Sequence, residues 1–549
     1  MVQSPHCMKP LRSLTLLAAF LAVAGFRLTL APGVSAAEPP EVVKIWPAGP
    51  PGTARERGPE HRLTGRPRPF YQITDVSEPT LSVFLPPRER RSGAAVLVLP
   101  GGGLQRLAIE HEGLEVATWL NDQNAAAFVL KYRVPERATV ALQDVQRALS
   151  LIRSRAAEWG VDPGDIGVVG FSAGAELAAW LATHHRDRQY PALDAADAFS
   201  CRPAFAALIY SGGLVQGAGW QLKDPIAKSI DAETPPMFVA QAYDDSAENS
   251  LAVVAAMKRA HRPAELHLYQ EGGHGFGVRP TGAPVGGWKD RWREWLAWQG
   301  FLDDARTRAA ARAVLDHTNG PLPALAATFP AASLPDAYRV QQRVVRARAA
   351  GAGAIAGYRA LGTPGPDGAP AGAGVIFRSE IVRSGPTATL PVPAAGSPRL
   401  APGWALVISV DFSFRLANDA QAHGAFASVA PFVQIDPQSA AGRGPLDLVA
   451  GNFSPGAFVL GAAQPLPETG DLAVVTPDWN SPGVSGAVPA VTPPTWSQLR
   501  ALLNQITDQG YTLRAGDLIL WPAAPEIPAR PGPQVLEFGT VGKVEFALP

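Results

Sequence analysis

The sequence predicts an α/β chain in two parts: a mostly parallel sheet between helices, then a β-rich α+β half. Three observations predict it. Strand-like and helix-like stretches alternate from about Thr80 to Leu302, the pattern of a sheet covered on both faces. Several of the strand-like stretches are short continuous apolar runs, as strands buried on both faces are. After about Asp304 the composition changes to an Ala/Arg-rich helix and then to β-like runs separated by Pro and Gly.

The elements of the first part follow in order. Thr80 to Leu85 reads as a strand, and Ala94 to Leu99 as a buried central strand. His111 to Asn121 is helical, with Leu114, Ala117 and Leu120 on one face. Ala125 to Tyr132 is another buried strand. Gln143 to Trp159 is a long amphipathic helix that Gly160 is placed to cap. Ile166 to Gly170 is a strand and Gly174 to His184 a helix. Ala204 to Tyr210 and Met237 to Ala242 are strands, Glu248 to Arg259 a helix, Ala264 to Tyr269 a strand, and Gly287 to Leu302 a Trp-rich helix. In the second part, Asp336 to Ala350 is helical, and Trp404 to Leu416, Ala425 to Ile435 and Ala457 to Leu460 are β-like. No repeat relates the two parts.

The chain has 549 residues, more than one ordinary core holds at roughly 100–200 residues per domain. Lys plus Arg and Asp plus Glu are both 48, which excludes a generic electrostatic pull toward nucleic acid or anionic membrane. The first stretch reads as an export signal: Lys9 and Arg12, an apolar run from Leu14 to Phe26, and Val34-Ser35-Ala36 before Ala37. The run falls short of the ~20 residues a membrane span needs. The expected organisation is therefore a signal over 1–36, a Pro/Gly-rich entry segment with little core over 37–65, a first domain over 66–304 and a second over 305–549. The expected location is secreted or periplasmic, with no stable membrane insertion once the signal is removed. Cys7 leaves with the signal, so Cys201 has no intramolecular disulfide partner.

Gly170-Phe171-Ser172-Ala173-Gly174 fits the G-x-S-x-G elbow. The motif alone is weak, but a buried strand runs into it and a helix runs out. Side chains at the flanking glycines would collide with neighbouring backbone. The helix start beneath Ser172 favours developing negative charge. Pro100-Gly101-Gly102-Gly103 follows an earlier strand, where backbone N–H groups of Gly102 or Gly103, with that of Ala173, are placed to hold an oxyanion. Gly272-Gly273-His274-Gly275-Phe276-Gly277 puts a histidine on a flexible loop after a strand. His267 lies within a strand, and His184 and His185 end a helix, so His274 is the candidate base. Between serine and histidine, Tyr243-Asp244-Asp245-Ser246 supplies the acid. Position alone does not choose between the two aspartates.

Residues from about Glu41 to Leu302 resemble the acetyl-xylan-esterase and feruloyl-esterase-like branch of the α/β-hydrolases. The stretches that carry this are Lys44-Ile45-Trp46-Pro47, Pro100 to Gly103, Glu112-Gly113, Trp119-Leu120-Asn121, Phe128 to Arg133, Gly167 to Gly174, Thr234-Pro235-Pro236 and Glu265 to Gly277. The resemblance implies Asp245 as the acid, with Asp244 as fallback, and acetyl or related acyl esters of carbohydrates as substrates, small molecules or oligosaccharides. It departs from the family pattern at Ala175-Glu176, where Gly-His is usual, and at Leu104, where an aromatic residue is usual.

Residues from about Ala309 to Pro549 resemble the 2-keto-4-pentenoate hydratase branch of the fumarylacetoacetate hydrolase superfamily. The matching residues are Asp336-Ala337-Tyr338, Gly357-Tyr358-Arg359, Asp447 to Asn452, Phe458 to Gly461, Gly510 to Leu513, Ala515-Gly516-Asp517 and the run from Gly539 to Phe546. The family's metal ligands are three glutamates, and the aligned positions here are Ser409, Asp411 and Gln434. The family's usual lysine is Arg359. A hard divalent cation wants oxygen ligands with one or two carboxylates. The expectation is a hydratase-like fold that does no metal-assisted hydration, no cofactor anywhere in the chain, and an allowance for a homodimer through this half. The alternatives are a peptidase of the prolyl-oligopeptidase kind, an esterase fused to an active lyase, and a binding protein without catalysis.

Overall fold

The structure is a computed structural model. It describes residues 41–52, 58–63, 71–217, 220–316, 324–352, 355–361, 370–388, 390, 399–436, 444–452, 457–467, 471–480, 489–523, 526–528 and 531–548. The export signal expected over residues 1–36 lies outside the described residues.

A sheet of eight strands organises the first part: β1 (Glu41–Lys44), β2 (Thr80–Phe84), β3 (Ala95–Leu99), β4 (Ala126–Lys131), β5 (Ile166–Phe171), β6 (Ala206–Ile209), β7 (Met237–Ala242) and β8 (Ala264–Tyr269). Their order is β1-β2-β4-β3-β5-β6-β7-β8. The pairs β1/β2 and β2/β4 are antiparallel and the others parallel. Every residue of β3, β5, β6 and β7 is buried, which is why these strands read as apolar runs, with Gln241 in β7 the one polar side chain among them.

The flanking helices are α1 (Glu115–Asp122), α2 (Ala138–Ser154), α3 (Ala173–Thr183), α4 (Ala247–Arg259) and α5 (Trp288–Trp298). A π-helix over Glu110–Leu114 runs directly into α1, so the stretch expected to be helical from His111 to Asn121 is helical throughout, with its first turn in the wider π form. The start of α3 is almost all alanine and glycine, so it packs against the sheet with no room between. Its buried Leu177 and Leu181 each contribute roughly 1.5–3 kcal/mol by leaving water.

Two expectations for the first part need correction. The helix α2 begins at Ala138 and ends at Ser154, not at Gln143 and Trp159. Its buried stripe already includes Ala141 and Leu142, while the chain beyond Ser154 closes in turns, with Val161 N–H on the Ala156 carbonyl and Gly160 at φ +64°. The segment over 37–65 also has more core than expected. It supplies the edge strand β1 and buries Ile45 and Trp46, whose indole donates to Asp144 at 2.8 Å.

In the second part the longer elements are α6 (Ala305–Leu315), α7 (Leu334–Ala352), β9 (Ile355–Leu361), β10 (Gly372–Phe377), β11 (Ile381–Arg383), β12 (Arg399–Ile408), β13 (Phe426–Asp436), β14 (Ala457–Leu460), α8 (Trp496–Asp508) and β15 (Leu518–Pro522). The strands run β10-β9-β15-β12-β13-β14-β11, mostly antiparallel. The strand expected over Trp404 to Leu416 is instead Arg399–Ile408, and the chain beyond it turns out of the sheet.

The cores are separate. One runs from Ile45 to Phe301, and another from Val345 to Leu548. Polar contacts join the parts. Arg343 on α7 pairs with Asp165, with Asp162 at 3.1 Å and with Asp303 at 3.6 Å, and Arg346 stacks over Phe301 at 4.8 Å. Among the described residues no helix is long and apolar enough to cross a membrane.

Candidate active site

The candidate residues come together at the C-terminal ends of the parallel strands, where open α/β sheets present their sites. Ser172 follows β5, Gly101 to Gly103 follow β3, Asp245 follows β7 and His274 follows β8. The Ser172 Oγ lies 2.7 Å from His274 Nε2, and His274 Nδ1 lies 2.8 Å from Asp245 Oδ2. The carboxylate only accepts, so Nδ1 carries a proton and Nε2 is left to accept from the serine hydroxyl. His274 is about half exposed and Asp245 mostly covered, which leaves the serine end of the chain open to a substrate.

The backbone explains the elbow. Ser172 has φ +54° and ψ −118°, a conformation a non-glycine residue rarely adopts. It is held there by its own N–H on the Ile209 carbonyl and by Gly212 N–H on its carbonyl. A Cβ at Gly170 would lie 2.1 Å from the Gly174 carbonyl oxygen, and one at Gly174 would lie 2.1 Å from that of Leu99. Neither position accepts a side chain without moving the strand or helix. Ala173 opens α3 and so presents one of the N–H groups that a helix start leaves without an intrahelical partner.

The glycine loop is fixed from behind. Its carbonyls are tied inward, Gly101 to Ala108 N–H and Gly102 to Gln105 and Arg106 N–H. Gly102 has φ +132°, and a Cβ there would lie 2.1 Å from the Arg106 carbonyl oxygen. Gly101 N–H donates to the buried Glu112 carboxylate at 2.7 Å, and Tyr132 donates to the Pro100 carbonyl at 2.6 Å. Gly101 N–H is thereby spent on Glu112, which leaves the N–H groups of Gly102 and Gly103, beside that of Ala173, as candidates to meet an oxyanion.

Glu112 does a second thing. Its other oxygen accepts from Tyr210 at 3.0 Å, and the Tyr210 ring packs edge-on against His274, with centroids 5.1 Å apart, and against Phe276 at 4.4 Å. Burial, then the adjacent Glu112 charge, pushes the Tyr210 phenol well above its ordinary range, so it stays a donor. Trp288 on α5 supports the histidine loop by donating to the Gly277 carbonyl at 2.7 Å. Sequence reasoning quoted Glu112 only as part of a motif and gave Tyr210 no role.

The two aspartates separate cleanly. Asp245 meets His274. Asp244 turns away and accepts from Gly273 N–H at 2.9 Å and Gly272 N–H at 3.3 Å, and the Gly273 bond above all holds its carboxyl below the usual range. It shapes the loop that carries His274. His267 lies elsewhere, 2.7 Å from Glu265 on β8. Glu176, at the first departure from the family pattern, is buried one turn after Ser172 and pairs with Lys223 at 2.5 Å. Burial raises its carboxyl, against the pull of Lys223. Leu104 packs partly buried against the core at φ +59°.

The positions that the hydratase resemblance aligns with metal ligands offer little to a cation. Asp411 accepts from Ala515 N–H at 2.7 Å, Ser409 donates to the Gly424 carbonyl at 3.1 Å, and Gln434 is buried on β13. One carboxylate, already engaged, does not fit a hard divalent ion. Among the described residues no cluster of three His, Cys, Asp or Glu is placed to hold a metal.

Comparison with known proteins finds a family match within the first part. Residues 81–206 match the model of the family described as BD-FAE. An acetylxylan esterase of Xylanibacter ruminicola is 30% identical over 230 residues, which cover 37% of this chain and 45% of that protein. An endo-1,4-β-xylanase B of Butyrivibrio fibrisolvens is 29% identical over 207 residues, covering 33% of this chain and 32% of that protein. The chain thus spans less than half the length of these curated relatives. Among solved structures, an acetyl ester-xyloside bifunctional hydrolase from Caldicellulosiruptor lactoaceticus is 28% identical, with a TM-score of 0.39, covering 48% of this chain and 99% of that one. The first part of the chain is an α/β fold that resembles the α/β-hydrolase esterases.

Proposed function

We propose that the chain is a serine esterase that hydrolyses acyl esters, above all acetyl esters of carbohydrates, through an acyl-enzyme. The observation that carries this is the continuous hydrogen-bonded chain from Ser172 through His274 to Asp245, set on a strained elbow beside a glycine loop. His274 Nε2 takes the hydroxyl proton as Ser172 Oγ attacks the acyl carbon. Asp245 holds the imidazole in the required tautomer and offsets its positive charge. The N–H groups of Ala173 and of Gly102 or Gly103 receive the oxyanion, at the positive end of α3. His274 then returns the proton to the leaving alcohol. A water, deprotonated by the same nitrogen, releases the acid and restores Ser172.

The carbohydrate part of the proposal rests on the similarity to an acetylxylan esterase over part of its length. We also propose export by the N-terminal segment, and that residues 305–549 form a hydratase-like unit without metal chemistry. Hydrolysis of p-nitrophenyl acetate and of acetylated xylo-oligosaccharides tests the reading, measured for the natural chain and for Ser172→Ala, with and without EDTA. The expected result is chelator-insensitive acetate release that the variant loses. Activity that survives in Ser172→Ala, or that EDTA removes, contradicts it.

A further inference from the structure

We infer that Gln241 is a positioning residue for the catalytic chain, which orients Asp245 and moderates the charge that Asp245 presents to His274. The inference rests on the serine-esterase reading above. Gln241 sits on β7 in the run Met-Phe-Val-Ala-Gln-Ala, fully buried among apolar neighbours. A primary amide in that setting is costly unless its groups are bonded. Here they are. Nε2 donates to Asp245 Oδ2 at 3.0 Å and to the Ala242 carbonyl at 3.1 Å, and Oε1 accepts from Ser250 Oγ at 2.9 Å.

Chemistry fixes which way the amide points. The Asp245 carboxylate and the Ala242 carbonyl only accept, so the NH₂ side faces them, and the oxygen faces Ser250, whose hydroxyl donates. Ser250 is itself fully buried on α4 and cannot swing to solvent. The relay therefore runs from Ser250 through Gln241, Asp245 and His274 to Ser172. Its consequence lies at one atom. Asp245 Oδ2 receives two donors, Gln241 Nε2 and His274 Nδ1. The second donor stops the carboxylate rotating away from the imidazole. It also satisfies part of the carboxylate's charge, so the charged imidazolium is favoured less than it would be beside a bare carboxylate. The other titratable groups around the pair are Asp244, turned to Gly272 and Gly273, and Tyr210, bonded to Glu112.

The test uses the full chain with Gln241→Met, Gln241→Glu and Ser250→Ala, beside Ser172→Ala and His274→Ala. Two readouts are taken: kcat, KM and the pH profile on p-nitrophenyl acetate, and the pH midpoint of the His274 ring resonances by NMR, assigned by their loss in His274→Ala. Gln241→Met is expected to lower kcat about ten-fold with KM changed less than about two-fold. It moves both the NMR midpoint and the acid limb of the profile to higher pH. Gln241→Glu leaves them near those of the natural chain, because a fully buried carboxyl beside Asp245 keeps its proton and donates to Asp245 as the amide does. Ser250→Ala shifts them to higher pH by less than Gln241→Met. Midpoints unchanged in Gln241→Met overturn the inference, whatever happens to stability. If Gln241→Met does not fold, Ser250→Ala decides it: raised midpoints support the inference and unchanged midpoints overturn it. If the natural chain shows no Ser172-dependent turnover, the esterase reading falls, while the NMR midpoints still decide the role of Gln241.

Discussion

The two halves of the molecule treat their reactive side chains in opposite ways. In the first, Ser172, His274 and Asp245 bond to one another, and buried polar groups support them, Gln241 bonding Asp245 and Glu112 bonding Gly101 and Tyr210. In the second, two residues that the expected hydratase resemblance pairs with metal ligands bond to backbone instead: Asp411 to Ala515 and Ser409 to Gly424. Both halves hang these residues on well-packed sheets. A reactive site is thus marked less by which residues are present than by whether their polar groups are directed at each other or absorbed by the fold.

Substitutions break or sharpen this contrast, and the largest effect is expected at the base. His274→Ala lowers kcat/KM for ester hydrolysis by at least about 10⁴-fold, because the nucleophile loses its proton acceptor. The two aspartates come next. Asp245→Asn costs about 10³–10⁴-fold in kcat, since the amide no longer enforces the tautomer. Asp244→Asn, which keeps an acceptor for the Gly272 and Gly273 N–H groups, costs less than about ten-fold by the same steady-state assay. Similar losses in the two variants would erase the distinction. Gly102→Ala lowers kcat about 10²-fold, as the loop must move to relieve the contact with the Arg106 carbonyl.

A smaller effect is expected at the junction. Burial raises the Asp303 carboxyl to about 6, against the pull of Arg343 and Arg346. The folded chain then binds this proton more tightly than the unfolded chain, so its contribution to stability is present at low pH and is lost as pH rises from about 4 to 6. Asp303→Asn removes that slope, so the denaturation midpoint varies less with pH across this window than in the natural chain. The smallest effect is expected in the second half. Saturating Mg²⁺ or Mn²⁺ shifts Tm by less than about 1 °C, since an ion stabilises only where it binds the folded state. A shift of several degrees that Asp411→Asn abolishes would restore the metal-site reading.

Much of the first site was legible because its determinants are local. The elbow needs glycines two positions either side of Ser172, and the histidine loop needs Gly272 and Gly273, so both leave a mark in a few adjacent residues. What was not legible depends on distant parts of the chain. Glu112 acts on Tyr210, 98 residues away, and nothing beside it in sequence shows that partner. Gln241 did leave a signal, a polar residue at the end of an otherwise apolar strand one turn before the aspartates, but its meaning waits on the direction of the Asp245 side chain. Asp244 and Asp245 are neighbours on one loop and differ only in where the turn aims them. The edge strand β1 escaped notice because four residues with one outer face leave little apolar pattern. The helix α2 was displaced because Trp159 is buried by turns that follow the helix, which in sequence looks like helical periodicity. In the second half the β-rich character was legible, while strand ends such as Ile408 depend on pairing across the sheet.

The central claim is that Ser172 is an activated nucleophile. Its most direct test is to treat the full chain with a p-nitrophenyl alkylphosphonate and locate the adduct by peptide mass spectrometry, beside His274→Ala. The account predicts a single phosphonyl group on Ser172, p-nitrophenol released in equal amount, loss of esterase activity in step with labelling, and labelling slowed by orders of magnitude in His274→Ala. Ester hydrolysis that persists while Ser172 is fully modified, or labelling as fast without His274, would contradict it.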